Sequence, residues 1–149
     1  MNIEKAKKID AEKLTALTIR SKSYWDYSSE QMKVWKDELT ISSDYIDCNE
    51  VYILKDKKAF IGYYAFIILN DKKVKLDNIF IEPKYIGKGY GKHLMNNFMN
   101  QIKLNGFEKI ELDSDPNAVD FYKKFGFKVV GQLASSIKDR FLAIMTLDL

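Results

Sequence analysis

The stretch Ile86-Gly87-Lys88-Gly89-Tyr90-Gly91-Lys92-His93-Leu94 has the residue types of an anion-binding turn. Three glycines at alternate positions let the backbone turn sharply and keep side chains away from whatever lies above it. A glycine-rich turn that opens a helix aims backbone N–H groups and the positive end of the helix dipole at one spot, and that spot suits a phosphate. Residue identity excludes two common phosphate loops. The pattern G-x-x-x-x-G-K-[ST] needs Gly at 86 and Ser or Thr at 93, where Ile86 and His93 stand. The pattern G-x-G-x-x-G needs Gly where Lys92 stands. The competing reading is a tight strand-to-helix turn that binds nothing, which the use of three glycines disfavours.

Such a turn needs a strand before it and a helix after it. Val74 to Glu82 reads as a strand, apolar enough near its end to be buried on both faces, and Pro83 stops it. From Tyr90 to Lys103, Leu94, Met95, Phe98, Met99 and Ile102 fall on one helical stripe, and Asn105-Gly106 supplies a C-cap. Upstream, Ile3 to Ile9 alternates as a short edge strand would, and Asp10 reads as the N-cap of a helix that runs to about Lys22. Ser28-x-x-Gln31 reads as a capping box, with Met32, Trp35 and Leu39 on one face of a second helix that also carries Glu38. Thr40 to Glu50 is expected to be an irregular or single-turn connection. Val51 to Lys55 and Ala59 to Leu69 are strands, the second with Gly62 as a bulge or bend. Lys109 to Asp113 is a strand, Asp115-Pro116 opens a helix bearing Ala118, Phe121, Tyr122 and Phe125, and Phe127–Leu133 and Phe141–Leu149 close the chain. The order β-α-α-β-β-β-α-β-α-β-β predicts a mixed α/β sheet of 6–7 strands, mostly antiparallel, with about four helices, rather than a doubly wound one.

The 149 residues suit one domain, 1–149, with an ordinary globular balance of 46% hydrophobic and 30% charged residues. A net charge of +3, with lysines spread along the chain, argues against nucleic acid as a partner. With one His and one Cys, no His/Cys metal site is expected, and Cys48 has no partner for an internal disulfide. A polar, charged N-terminus and the lack of an apolar run near ~20 residues predict a cytoplasmic protein without a membrane partner.

Two motifs resemble the GNAT superfamily of acyl-CoA-dependent N-acetyltransferases. One is Ile79-Phe80-Ile81-Glu82-Pro83 followed by Ile86-Gly87-Lys88-Gly89-Tyr90-Gly91, in which Gly89 and Gly91 match the family's pyrophosphate loop and Ile86 stands where Gln or Arg is usual. The other is Asp115-Pro116-Asn117-Ala118-x-x-Phe121-Tyr122-x-Lys124-x-Gly126-Phe127. Together they span 74–127, the half that the resemblance assigns to acetyl-CoA; the N-terminal half would serve the acceptor.

The resemblance implies transfer of acetyl from acetyl-CoA to a primary amine of a small molecule or peptide, by direct attack in a ternary complex. The pantetheine arm would enter between Val74–Ile81 and Lys109–Asp113 and pair with the backbone around Ile79, Phe80 and Ile81. The pyrophosphate would lie on the amides running from Gly87 through Gly91 to Lys92, beside Ile86, Lys88, Gly89 and Tyr90, with Lys88 and Lys92 either on phosphates or in solvent. A backbone N–H near Ile81 would hold the oxyanion. Tyr122 would act as general acid toward the departing thiolate, with Asn117 orienting water or a pantetheine amide and Phe121 beside it. Read without the motif, Tyr122 is a core aromatic. Asp77, Glu82 and Glu38 are candidates to deprotonate the amine, Asp77 foremost; Asp113 and Ser114 could also face the cleft. Tyr24, Trp25 and Tyr27 would line the acceptor pocket, while Trp35 is expected to pack the helices and His93 to lie at the surface. A CoA-binding sensor that has lost catalysis is the rival reading. The alternating tail Ala143–Leu149 makes a homodimer through C-terminal strands an expectation.

Overall fold

A computed structural model describes residues 1–25, 27–135, 137 and 140–149. Its elements are β1 (Asn2–Lys5), α1 (Ala11–Ser23), α2 (Ser29–Val34), α3 (Ser43–Cys48), β2 (Glu50–Asp56), β3 (Ala59–Ile68), β4 (Lys73–Ile81), α4 (Tyr90–Leu104), β5 (Lys109–Ser114), α5 (Val119–Lys123), β6 (Lys128–Ala134) and β7 (Phe141–Asp148). Three 3-10 turns, Lys8–Asp10, Pro83–Tyr85 and Pro116–Ala118, precede α1, the glycine loop and α5. The strands are hydrogen-bonded in the order β1-β2-β3-β4-β5-β7-β6. β1–β2, β2–β3, β5–β7 and β6–β7 pair antiparallel, and β4–β5 pairs parallel. Among the described residues no helix is long and apolar enough to cross a membrane.

The chain divides into two compact units. The first comprises Met1–Phe66 and Asn78–Asn100. Its core joins Leu14 and Leu17 of α1, Ile41, Ile46 of α3, and Val51, Ile53, Tyr63 and Ala65 of β2 and β3. Leu14, Leu17, Thr18 and Ser21 are buried at helical spacing, which turns one stripe of α1 onto the strands. On the other face of β3, Tyr64 and Phe66 meet Phe98 of α4 with ring centroids 5.3 and 5.4 Å apart, and the Tyr64 hydroxyl donates to Asn97 at 2.7 Å.

Three local expectations change in this unit. The strand expected over Ile3–Ile9 ends at Lys5, because the Asp10 carboxylate accepts the Lys7 N–H at 2.8 Å and closes a 3-10 turn. Asp10 stands at the N-cap of α1 but spends its side chain on that turn. The connection after Thr40 contains α3, capped by Ser42, whose hydroxyl accepts the Tyr45 N–H at 3.0 Å.

The second unit comprises Ile67–Asp77 and Gln101–Leu149. Here β4 contributes only its first residues: Lys73, Val74 and Lys75 register with Lys109, Ile110 and Glu111 of β5. Lys73–Glu111 and Lys75–Asp113 ion pairs, at 2.8 and 3.0 Å, tie the two strands side chain to side chain. Ile110, Leu112, Phe127 and Met145 are buried. The pairing of β6 with β7 slips between Val129 and Gly131, a bulge in the edge strand.

Candidate active site

In the first unit the glycine loop is built from its flanks. The Glu82 N–H donates to Ile61 O at 2.9 Å, which ends β4. Pro83 then starts a 3-10 turn in which the Tyr85 and Ile86 N–H groups donate to Glu82 O and Pro83 O. Gly87 and Gly89 take φ values of 81° and 86°, a left-handed conformation costly for other residues. Gly91 lies inside the first turn of α4. The first N–H of α4 to bond back is that of His93, to Gly89 O at 3.2 Å. Among the described residues, the amides from Gly87 to Lys92 have no hydrogen-bond partner. They gather at the N-terminus of a 15-residue helix, where the dipole favours negative charge. Rings of Tyr85 and Tyr90, 5.8 Å apart, bracket the loop; Lys88, Lys92 and His93 are exposed, and Ile86 is half-buried.

The end of β4 supplies a second polar edge. The Glu82 N–H points to β3, so by the two-residue strand period Phe80 and Asn78 do the same, while Ile79 and Ile81 direct their N–H and C=O groups to the opposite edge. Phe80 packs its ring against the core, 6.1 Å from Tyr63. Asn78 donates to the Tyr45 hydroxyl at 3.0 Å. The bulge expected at Gly62 falls next to it: the β2–β3 register passes from Leu54–Gly62 to Lys55–Phe60 and skips Ile61.

The acceptor-side aromatics split into two pairs. Tyr24 and Trp25 are exposed and meet edge to face at 5.3 Å. Tyr27 packs edge to face on Trp35 at 4.7 Å, and the Lys22 ammonium lies 5.1 and 4.8 Å from their ring centroids. Trp35 is 4% exposed, as a helix-packing residue would be. Glu38 is exposed and lies in the turn after α2, outside the helix expected to carry it. Glu82 is engaged by Arg20, whose Nε and Nη2 donate to Oε1 and Oε2 at 2.6 and 2.8 Å.

In the second unit Asp77 is exposed at the end of its β4 residues, while Asp113 is paired to Lys75. Asp113 and Glu82 are thus each held in an ion pair. Ser114 is buried and donates to Asp115 O at 2.8 Å. Asp115 accepts the Asn117 N–H at 2.9 Å and a hydrogen bond from Arg140 Nη2, so the Pro116 turn is held from both sides. Asn117 is exposed. Pro116 opens a 3-10 turn that leads into the short α5, where a single helix was expected. Phe121 meets Tyr122 edge to face at 5.3 Å, and Tyr122 packs on Phe127. Burial, and then the charge of Asp115, pushes the Tyr122 phenol well above its ordinary value of 10.0. Its hydroxyl has no hydrogen-bond partner among the described residues.

Sequence reasoning passed over Arg20 and Arg140. A signal was there: they are the chain's only arginines, among 24 Lys and Arg residues, and its only prolines are Pro83 and Pro116. Each arginine grips the acid that precedes one proline. A planar guanidinium can hold a carboxylate with two parallel bonds where an ammonium cannot. Among the described residues no three His, Cys, Asp or Glu side chains cluster as metal ligands.

Residues 23–139 match the sequence profile of the family described as "Acetyltransferase (GNAT) domain". The chain is 28% identical over 92 residues to "Uncharacterized N-acetyltransferase ycf52" of Gracilaria tenuistipitata var. liui, across 62% of this chain and 50% of that protein. It therefore spans about half the length of that relative. It is 29% identical over 134 residues to "Peptidyl-lysine N-acetyltransferase YjaB" of Salmonella typhimurium strain LT2, across 89% of this chain and 86% of that protein. The fold is shared with PaiA N-acetyltransferase from Thermoplasma acidophilum, solved with coenzyme A, at a TM-score of 0.82 and 22% identity over 99% and 98% of the two chains.

Proposed function

This chain belongs to the GNAT acetyltransferase family, and from that premise we propose that it transfers the acetyl group of acetyl-CoA to a primary amine. One observation carries the proposal: the amides from Gly87 to Lys92 have no partner of their own and gather at the N-terminus of α4. Such a cradle fits the pyrophosphate of coenzyme A, because backbone N–H groups and a helix dipole stabilise anionic oxygens together. It also explains why Ile86 is tolerated in the loop, since no side chain is needed for that contact.

The remaining roles follow from the exposed groups. The β4 edge at Ile79 and Ile81 offers N–H and C=O groups that an extended amide chain, such as the pantetheine arm, can pair with. The Ile81 N–H is our choice to hold the carbonyl oxygen as the amine nitrogen forms its bond to carbon. The amine loses a proton to solvent or to Asp77, the C–S bond breaks, and the sulfur leaves as thiolate. Tyr122 donates a hydrogen bond to that sulfur. Its raised pKa keeps it protonated, and so able to donate. Tyr24 and Trp25 form the exposed part of the acceptor wall. The name of the Salmonella relative supports a lysine side chain in a peptide as the first acceptor class to test.

The deciding experiment mixes the purified protein with acetyl-CoA and either lysine-containing peptides or a panel of small amines, and follows free thiol. Thiol release that depends on the amine is the expected result. Tight coenzyme A binding without release under any amine would overturn transfer in favour of a ligand-binding role.

A further inference from the structure

Arg20 and Lys22 stand two residues apart in the last turn of α1 and reach different partners. Arg20 makes both of its bonds to the Glu82 carboxylate. Lys22 lies over the Tyr27 and Trp35 rings. Glu82 is itself a junction: its N–H is fixed to Ile61 O, and its carbonyl accepts the Tyr85 N–H that begins the turn toward Gly87. Its side chain is 14% exposed, so the pair is partly shielded from solvent on the carboxylate side. A chain whose cations are nearly all lysine places one of its two arginines here, where two parallel bonds fix an orientation and not only a distance.

We infer that Arg20 is a positioning residue: through Glu82 it ties the anion-binding loop to the end of α1, so that coenzyme A on the loop is felt at the Trp35–Tyr27 pair. The route is contiguous within the first unit, running from the loop through Glu82, Arg20 and the last turn of α1 to Lys22 and the two rings. The inference rests on the proposed binding of coenzyme A to the loop.

The chain's only two tryptophans, Trp25 and Trp35, make the tie readable. In a Trp25→Phe background, Trp35 emission is followed during titration with coenzyme A, and binding is measured in parallel by calorimetry. The parent is expected to change its Trp35 emission with the same midpoint as the heat signal. Arg20→Gln and Glu82→Gln are expected to bind coenzyme A about twofold to fivefold more weakly and to lose most of the Trp35 response at saturation. Arg20→Lys, which keeps the charge but not the fork, should retain part of it. An undiminished response in Arg20→Gln overturns the tie; if that variant does not fold, an undiminished response in Arg20→Lys does so. Heat without any emission change in the parent overturns it as well. Absence of binding in the parent overturns the reading of the loop, and the tie with it.

Discussion

A Cβ added at Gly62 would lie 2.7 Å from the carbonyl oxygen of Phe80 and 2.7 Å from Cδ1 of Ile81. The glycine lets β4 run against β3 at the bulge, where the Ile79–Ile81 edge must be held. Gly62→Ala is expected to cost about 1–3 kcal/mol, in the range of overpacked cores. The melting temperature should fall by several degrees, and coenzyme A affinity should fall with it because Phe80 and Ile81 are displaced. A melt and an affinity both unchanged would show that β4 yields without consequence.

Gly89 has nothing within 4 Å of an added Cβ, yet its φ is 86°. Gly89→Ala therefore tests backbone conformation and not space. The left-handed conformation costs roughly 1–2 kcal/mol for an alanine, so the loop should relax and turn its amides away. Coenzyme A binding, measured by calorimetry, is expected to weaken about tenfold or more, the equivalent of 1.4 kcal/mol. Affinity within twofold of the parent would argue that side chains, and not amides, hold the anion.

Tyr122→Phe keeps the packing on Phe121 and Phe127 and removes the hydroxyl. Turnover should drop about tenfold to 10²-fold, in the range of a lost hydrogen bond to a charged group, with little change in KM for acetyl-CoA. Because the folded pKa is raised, the phenol stays neutral through and beyond its ordinary value. No limb of the pH–rate profile between 8 and 10 should belong to Tyr122. A limb there that vanishes in the Phe variant would show the phenol ionising during turnover.

Tyr52 titrates late for a related reason. Burial, then its hydrogen bond to Glu50 at 3.0 Å and that carboxylate's charge, pushes its pKa from 10.0 to about 12. Between those values the unfolded chain has released the proton and the folded chain has kept it. Stability must therefore decline as pH rises through that window. Tyr52→Phe should flatten the decline in denaturant melts taken from pH 10 to 12. An equally steep decline in the variant would assign it to other groups.

Arg140 and Asp115 have side chains only 14% and 18% exposed, so breaking the pair leaves a partly desolvated charge. Arg140→Gln is expected to cost about 1–3 kcal/mol, and to raise proteolysis around the Pro116 turn. Arg140→Lys should recover only part of the loss, since Arg140 also donates to Ser135 Oγ at 3.1 Å. Full recovery with lysine would reduce the contact to simple charge.

Local chemistry made much of this chain legible from its residues alone. Gly87, Gly89, Pro83 and Pro116 encode their own backbone conformations, so the loop, the strand end and the second motif could be placed before any packing was known. The stripe of Leu94, Met95, Phe98, Met99 and Ile102 likewise announced α4; all but Met99, which is half-buried, are fully buried. Tertiary structure decided what depends on partners distant in sequence. Glu82 read as a candidate base and Asp113 as a residue that could face the cleft, but nothing local told that Arg20, 62 residues away from Glu82, and Lys75 would pair with them. Phe80 belongs to a cofactor motif, yet the sheet's face turns its ring into the core. Tyr122 has the residue type of an acid, and only the folded surroundings, burial and then the charge of Asp115, raise its pKa. The division follows the range of the forces: φ preferences and helix periodicity act within a few residues, whereas ion pairing, strand faces and desolvation depend on what the folded chain brings alongside.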